Sequence, residues 1–97
     1  VQEELPYVFG NFSNEAFEII IKKIQSVDLD YKLFDSYYYY KNDRWDIKLK
    51  NNKIIKLPRR NLKQALIKAK AILENEETMH YKIIDLRIPN QVILNND

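Results

Sequence analysis

Residues 44 to 49 alternate with a period of two, and that pattern constrains the fold more than any other feature of the chain. In Arg44-Trp45-Asp46-Ile47-Lys48-Leu49, the residues Trp45, Ile47 and Leu49 face one way while Arg44, Asp46 and Lys48 face the other. This is the pattern of a half-buried antiparallel strand. Lys50-Asn51-Asn52 turns the chain, and Asn52 suits the left-handed backbone conformation such a turn requires. Lys53 to Leu57 then returns. A three-residue turn pairs Ile47 with Ile55 and Trp45 with Leu57, which keeps the apolar side chains of both strands on one face. A lone hairpin is marginal in water, so this apolar face needs further strands or helices against it.

The flanking segments supply them. Leu5 to Gly10 is a short apolar entry strand or extended arm; Pro6 keeps it from a central ladder position, and Gly10 marks a turn. Ser13 is placed to cap a helix with Glu15 in its first turn, and Phe17, Ile20, Ile21 and Ile24 follow at helical spacing, which predicts a helix over residues 14–26. Tyr31 to Tyr40 reads as a strand in which Leu33 and Phe34 lie on opposite faces and Tyr37-Tyr38-Tyr39-Tyr40 sends two rings to each side. Pro58 ends the returning strand. Asn61 is expected to cap a second helix, with Leu62, Ala65, Leu66, Ala69, Ile72 and Leu73 as its apolar stripe and Lys63, Lys70 and Glu74 toward water. The expected fold class is α+β: a mainly antiparallel, curved β-sheet with two amphipathic helices packed on it.

The end of the chain carries the functional argument. From Tyr81 to Asp97 two apolar, β-branched runs are divided by Pro89-Asn90, which reads as strand, tight turn, strand. Nothing after Gln91-Val92-Ile93-Leu94 is suited to cover the outer edge of the last strand. A terminal strand of this kind presents a row of unpaired backbone groups, and such an edge accepts a strand from another protein. Strand parity separates Gln91 and Ile93 from Val92 and Leu94 without showing which pair is buried.

Composition removes most enzymatic readings. Ninety-seven residues make one domain, over 1–97, with one modest core. Gly10 is the sole glycine, against any glycine-rich phosphate loop. The chain has no cysteine and one histidine, His80, so a disulfide, a thiolate nucleophile and a zinc site all lack their ligands. Asp28 and Asp30 lack the spacing of a calcium loop. Ser13, Ser26 and Ser36 lack the small neighbours of a nucleophile elbow, and Glu74, Glu76 and Glu77 lie on a charged helix exit where burial cannot tune a pKa. The reading is a non-enzyme with no catalytic, metal or cofactor-binding residue. Net charge is +2 with both signs interspersed, which does not imply nucleic acid, and no apolar run is long enough to cross a membrane. The start at Val1-Gln2-Glu3-Glu4, without an initiator methionine, leads us to expect a piece of a longer protein.

Three motifs in order resemble the C-terminal periplasmic (β) domain of the FtsQ/DivIB family of bacterial cell-division proteins. Leu5-Pro6 through Gly10 resembles that domain's Leu-Pro-x-x-x-Gly opening. Trp45-x-Ile47-x-Leu49-Lys50-Asn51-Asn52 is similar to its Trp-x-Leu-x-Leu-x-Asn-Gly hairpin, with Asn52 where glycine is usual. Asp85-Leu86-Arg87-Ile88-Pro89-Asn90 resembles its Asp-Leu-Arg-aromatic-x-Asn segment, with Ile88 where tyrosine is common. The resemblance implies a divisome scaffold on the periplasmic side of the bacterial inner membrane. It implies an upstream single membrane helix and POTRA domain, so that the membrane is met only through that anchor. It also implies binding of FtsB (DivIC in some bacteria) and FtsL by strand addition beside the last strand. Carried over by position, the partner-binding residues are Arg87, Ile88, Asn90, Gln91, Val92, Ile93 and Leu94. The fragment is expected to be monomeric, or paired through its edge in crystals.

Two other features carry dull readings beside functional ones. Asp85 and Arg87, two apart on a strand, serve either as an interface anchor or as a fixed ion pair. Tyr37 to Tyr40, with the basic middle formed by Lys53, Lys56, Arg59, Arg60, Lys63, Lys68 and Lys70, offers the alternative of a ligand- or nucleic-acid-binding module. Against it, alternate tyrosines fill a core and no basic stripe tracks the run. The same cations suit anionic lipid or an acidic partner segment, or simply a solvated face.

Overall fold

The computed structural model describes residues 7–88 and 90–96. In chain order the elements are β1 (Tyr7–Phe9), α1 (Asn14–Ser26), a 3-10 turn (Tyr31–Leu33), β2 (Phe34–Tyr40), β3 (Arg44–Leu49), β4 (Ile54–Lys56), α2 (Leu62–Glu74), β5 (Ile83–Asp85) and β6 (Ile93–Asn95). The six strands form one open sheet in the order of the chain, β1-β2-β3-β4-β5-β6. Both helices contribute to a single core, and they also touch each other.

The sheet is mixed, so the expected mainly antiparallel, curved sheet is borne out only in part. β1 pairs with β2 and β4 with β5 in parallel, while the other three neighbouring pairs are antiparallel. The cause lies in the connections. Each parallel pair is joined through one helix, α1 or α2, which carries the chain back to the end of the sheet where it began. The two hairpins, β2–β3 and β5–β6, and the β3–β4 turn account for the antiparallel pairs.

Local chemistry explains most boundaries. The Ser13 Oγ accepts from the Ala16 N–H at 3.1 Å, and α1 begins at Asn14 as the capping pattern predicts. The strand expected from Tyr31 begins instead at Phe34. Asp30 holds the preceding segment as a turn, its Oδ1 accepting from the Lys32 N–H and its carbonyl from the Leu33 N–H, both at 3.0 Å. Ile47 lies opposite Ile55, as the three-residue turn requires, and the Leu57 N–H donates to the Trp45 carbonyl at 3.1 Å. Asn52 takes φ +71° in that turn. Asn61 does not cap α2 with its side chain: it sits at φ +58°, left-handed, and makes no side-chain cap bond. Asparagine tolerates that conformation, and here it serves the backbone turn instead of the cap. Lys70, expected in water, is half-buried and donates from Nζ to the Val27 carbonyl at 3.2 Å, tying α2 to the end of α1.

The core is aromatic at one end and aliphatic at the other. Phe17 of α1 meets the Tyr37 ring edge-on at 5.5 Å, and Trp45 packs against Phe17 at 6.0 Å and Tyr39 at 4.8 Å. Ile55, Leu57, Leu66 and Ile84 are fully enclosed at the other end. The four tyrosines divide as parity requires. Tyr37 is buried and Tyr39 half-buried on the helix side, whereas Tyr38 and Tyr40 stand on the opposite face. Burial pushes the Tyr37 hydroxyl up to about 12. The run is therefore no continuous aromatic platform.

Candidate functional site

One row of side chains crosses the outer face of the sheet and ends at the C-terminal edge: Phe9, Tyr38, Asp46, Lys56, Asp85 and Ile93 lie in register on successive strands. Phe9 stacks on Tyr38 at 5.1 Å. Asp46 is buried although it faces outward, because it takes Arg44 as an ion-pair partner and accepts from the Tyr40 hydroxyl at 3.2 Å. Lys56 stands between Asp46 and Asp85. The row thus passes from aromatic through alternating charge to an apolar end.

Asp85 and Arg87 form a bidentate pair. Arg87 donates from Nε to Asp85 Oδ1 at 2.9 Å and from Nη2 to Oδ2 at 2.7 Å, and its backbone N–H reaches Oδ1 at 3.1 Å. These donors hold the Asp85 carboxyl below its ordinary range, the guanidinium bonds contributing most. Of the two readings the sequence allowed, the geometry realises the fixed ion pair. It stiffens the chain as it leaves β5, directly before the turn to β6.

That turn closes through the Gln91 N–H, which donates to the Ile88 carbonyl at 3.2 Å, with Asn90 at φ +63°. Pro89, expected as part of the turn, lies outside the described residues. β6 follows as Ile93–Asn95, shifted toward the C-terminus relative to the expected Gln91 to Leu94. It pairs antiparallel with β5, Ile93 opposite Asp85, Ile84 opposite Leu94 and Asn95 opposite Ile83. Among the described residues β5 is its one neighbour in the sheet.

The structure resolves the parity that the sequence left open. Leu94 turns inward and packs against the core, while Val92 and Ile93 remain exposed. The backbone follows a matching logic. The Lys82 N–H donates to the Asn95 carbonyl at 2.9 Å, so Asn95 turns its carbonyl toward β5. Alternation along the strand then sends the Leu94 N–H and C=O to the open side.

Beside the β5–β6 turn lies a groove of about 310 Å³. One wall is Ile88, Asn90 and Gln91 from the β5–β6 turn; the other is Arg60, Gln64 and Lys68 from the start of α2. Ile88 is half exposed there. The sequence reading named the first wall and missed the second. The periodicity of α2 identifies which residues face away from the core, but not that β5 brings the last turn alongside them. Of the expected partner-binding residues, Ile88, Asn90 and Gln91 line this groove; Arg87 is engaged with Asp85, Val92 and Ile93 are exposed, and Leu94 packs against the core. His80, by contrast, is exposed, and its ring lies tilted against that of Tyr81 at 4.1 Å. The described residues hold no group of three acidic, histidine or cysteine side chains able to bind a metal ion.

No helix among the described residues is long and apolar enough to cross a membrane. No curated protein matches the chain by sequence similarity. The family described as cell division protein FtsQ/DivIB, C-terminal, matches residues 1–87. The match ends two residues beyond β5, so its span covers every element except β6. On that match over most of its length, the chain belongs to the FtsQ/DivIB C-terminal family of cell-division proteins.

Proposed function

We propose that the domain is a non-enzymatic scaffold of the bacterial divisome that captures partner proteins by strand addition at β6. The observation that carries this reading is the position of β6, the last strand of an open sheet, bonded on one side, with the Leu94 backbone groups directed outward. A guest strand docked there extends the sheet to seven strands through main-chain hydrogen bonds, which supply affinity, while side-chain contacts supply selectivity. Ile93 and Val92 offer exposed apolar contact on either side of the strand, and the groove beside Ile88 accepts whatever follows or precedes the guest strand. Family membership supports division proteins as the partner class. The resemblance narrows this to the extracytoplasmic segments of FtsB/DivIC and FtsL, in a protein anchored in the inner membrane with this domain on the periplasmic side.

The test is co-purification of the chain with the extracytoplasmic segment of an FtsB/DivIC partner, comparing wild type with Val92→Pro. Proline at 92 removes a donor and obstructs a ladder on the open side. No hydrogen bond of the Val92 N–H holds β6 to β5, so the variant should stay folded. Loss of retention with an unchanged melting profile supports β6 as the docking strand. Full retention by a folded variant places the docking strand elsewhere.

A further inference from the structure

The charges of this chain are segregated far more than its net +2 suggests. Residues 47 to 73 contain nine of the sixteen basic residues and none of the fourteen acidic ones. Folding engages part of this block. Lys53 donates to the Met79 carbonyl, Lys56 stands between Asp46 and Asp85, and Lys70 donates to the Val27 carbonyl. Arg59, Arg60, Lys63 and Lys68 are treated differently. All four are exposed, and none makes a hydrogen bond or ion pair among the described residues.

Arg59 and Arg60 precede α2, one residue removed from it by Asn61; Lys63 lies in its first turn and Lys68 at its middle, both exposed. The first turn of α2 holds no acidic residue, and Glu74, its last residue, is the one acid on the helix. Cations at the start of a helix oppose the macrodipole, so Arg59, Arg60 and Lys63 do not stabilise it. Five residues separate Lys63 from Lys68, which sets them about 140° apart around the helix axis. Ile67 lies between them, half exposed, and Ile88 is half exposed across the groove that Arg60 and Lys68 line.

We propose that this face of α2 is a contact for an anionic phospholipid surface. The cations fan out around the helix and do not converge on a point, which suits a broad field of headgroups better than one carboxylate or phosphate. Apolar side chains interspersed among cations, here Ile67 and Ile88, can enter the boundary between headgroups and acyl chains. A single-stranded nucleic acid would require exposed aromatic rings among the cations. The exposed rings Tyr7, Phe9 and Tyr40 lie instead on β1 and β2, at the other end of the sheet order. This surface meets the proposed strand-addition site at the groove lined by Arg60, Lys68 and Ile88, while Arg59, Lys63 and Ile67 lie outside that lining, so Val92→Pro tests the one reading and the cation and Ile67 variants the other.

The experiment is co-sedimentation of the chain with phosphatidylcholine vesicles, with and without phosphatidylglycerol, at low and high salt. Binding should require phosphatidylglycerol and weaken steeply with salt. The variant Arg59→Gln/Arg60→Gln/Lys63→Gln/Lys68→Gln should lose roughly fivefold in partitioning per cation removed, hence more than about a hundredfold in all. The variant Lys22→Gln/Lys23→Gln/Lys32→Gln/Lys41→Gln, with the same net charge, should stay within about twofold of wild type. Ile67→Ser should weaken vesicle binding while leaving retention on heparin unchanged. Circular dichroism checks that each variant is folded; if the fourfold change unfolds the chain, Lys63→Gln and Lys68→Gln singly carry the same test. Absence of phosphatidylglycerol-dependent binding overturns the proposal. So does equal loss in the two fourfold variants, or insensitivity of vesicle binding to Ile67→Ser, which would mark a site for soluble polyanions or an acidic protein.

Discussion

The sheet has two edges, and the chain treats them differently. β1 and β6 are both three residues long, and each has one neighbour among the described residues. β1 lies between two breakers: Pro6 precedes it and Gly10 follows it at φ +107°, where a Cβ would run into the Tyr39 carbonyl. Its outward side chains also stack, Tyr7 on Phe9 at 6.4 Å and Phe9 on Tyr38, although Tyr7 and Phe9 both remain exposed. β6 contains no proline, glycine or charged residue, and its outward Ile93 has no ring or ion pair committed to it. Short length, proline and charge are the usual protections of an exposed edge. β1 has two of these features beside a stacked aromatic face, whereas β6 has only its shortness. The contrast teaches that being last in a sheet is not enough; an edge that can be used is one left without breakers.

Mutations should distinguish the two edges. The largest effect is expected on partner binding: Val92→Pro should lower retention of an FtsB/DivIC segment by about a hundredfold or more, measured by co-precipitation or calorimetry. Phe9→Ser on the opposite edge should leave that affinity within about twofold. Next in size is Gly10→Ala, which forces a side chain into left-handed backbone against the Tyr39 carbonyl. It should cost about 1–3 kcal/mol in urea unfolding without altering partner affinity. If it abolishes binding in a folded protein, β1 and not β6 is the functional edge.

Smaller effects test how the usable edge is held in place. Asp85→Asn removes the ionised acceptor of the bidentate pair before the turn and should cost about 1–2 kcal/mol at neutral pH. The sign with pH follows from the lowered carboxyl. Its contribution is complete above the unfolded value near ~4 and disappears as pH falls through the lower folded value. Wild type and Asp85→Asn should therefore converge in stability at strongly acidic pH, which unfolding curves at a series of pH values would show. The smallest contrast is between the helix starts. Ser13→Ala should cost about 1 kcal/mol, because its Oγ caps α1. Asn61→Gly should change stability by only a few tenths of a kcal/mol, because Asn61 makes no cap bond and glycine accepts its positive φ.

Features set by local chemistry were legible in the sequence. α1 matches the span its cap and spacing predict, and the alternation of residues 44–49 yields both the inward face and the register of Ile47 with Ile55. Features set by packing were less so. The inward turn of Leu94 was hidden because Ile93 and Leu94 are both apolar, so neither parity stood out. The parallel pairings were hidden because a strand of three residues carries no mark of its neighbour's direction; only the helical crossover decides it. Likewise, the second wall of the groove is assembled from residues 60–68 by the β4–α2–β5 crossover, a juxtaposition with no linear signature. Asn61 shows the opposite failure. Its residue type fits a cap, but the backbone turn used its left-handed tolerance and left the side chain out.

The most direct test of an open β6 is residue-level hydrogen exchange on the chain, alone and bound to the FtsB/DivIC extracytoplasmic segment. Strand addition at β6 should slow exchange of the Leu94 amide, and of Val92 beside it, while Tyr7 to Phe9 exchange as before. Unchanged exchange at Leu94 in the bound state, with new protection at β1 or along a helix, would contradict it.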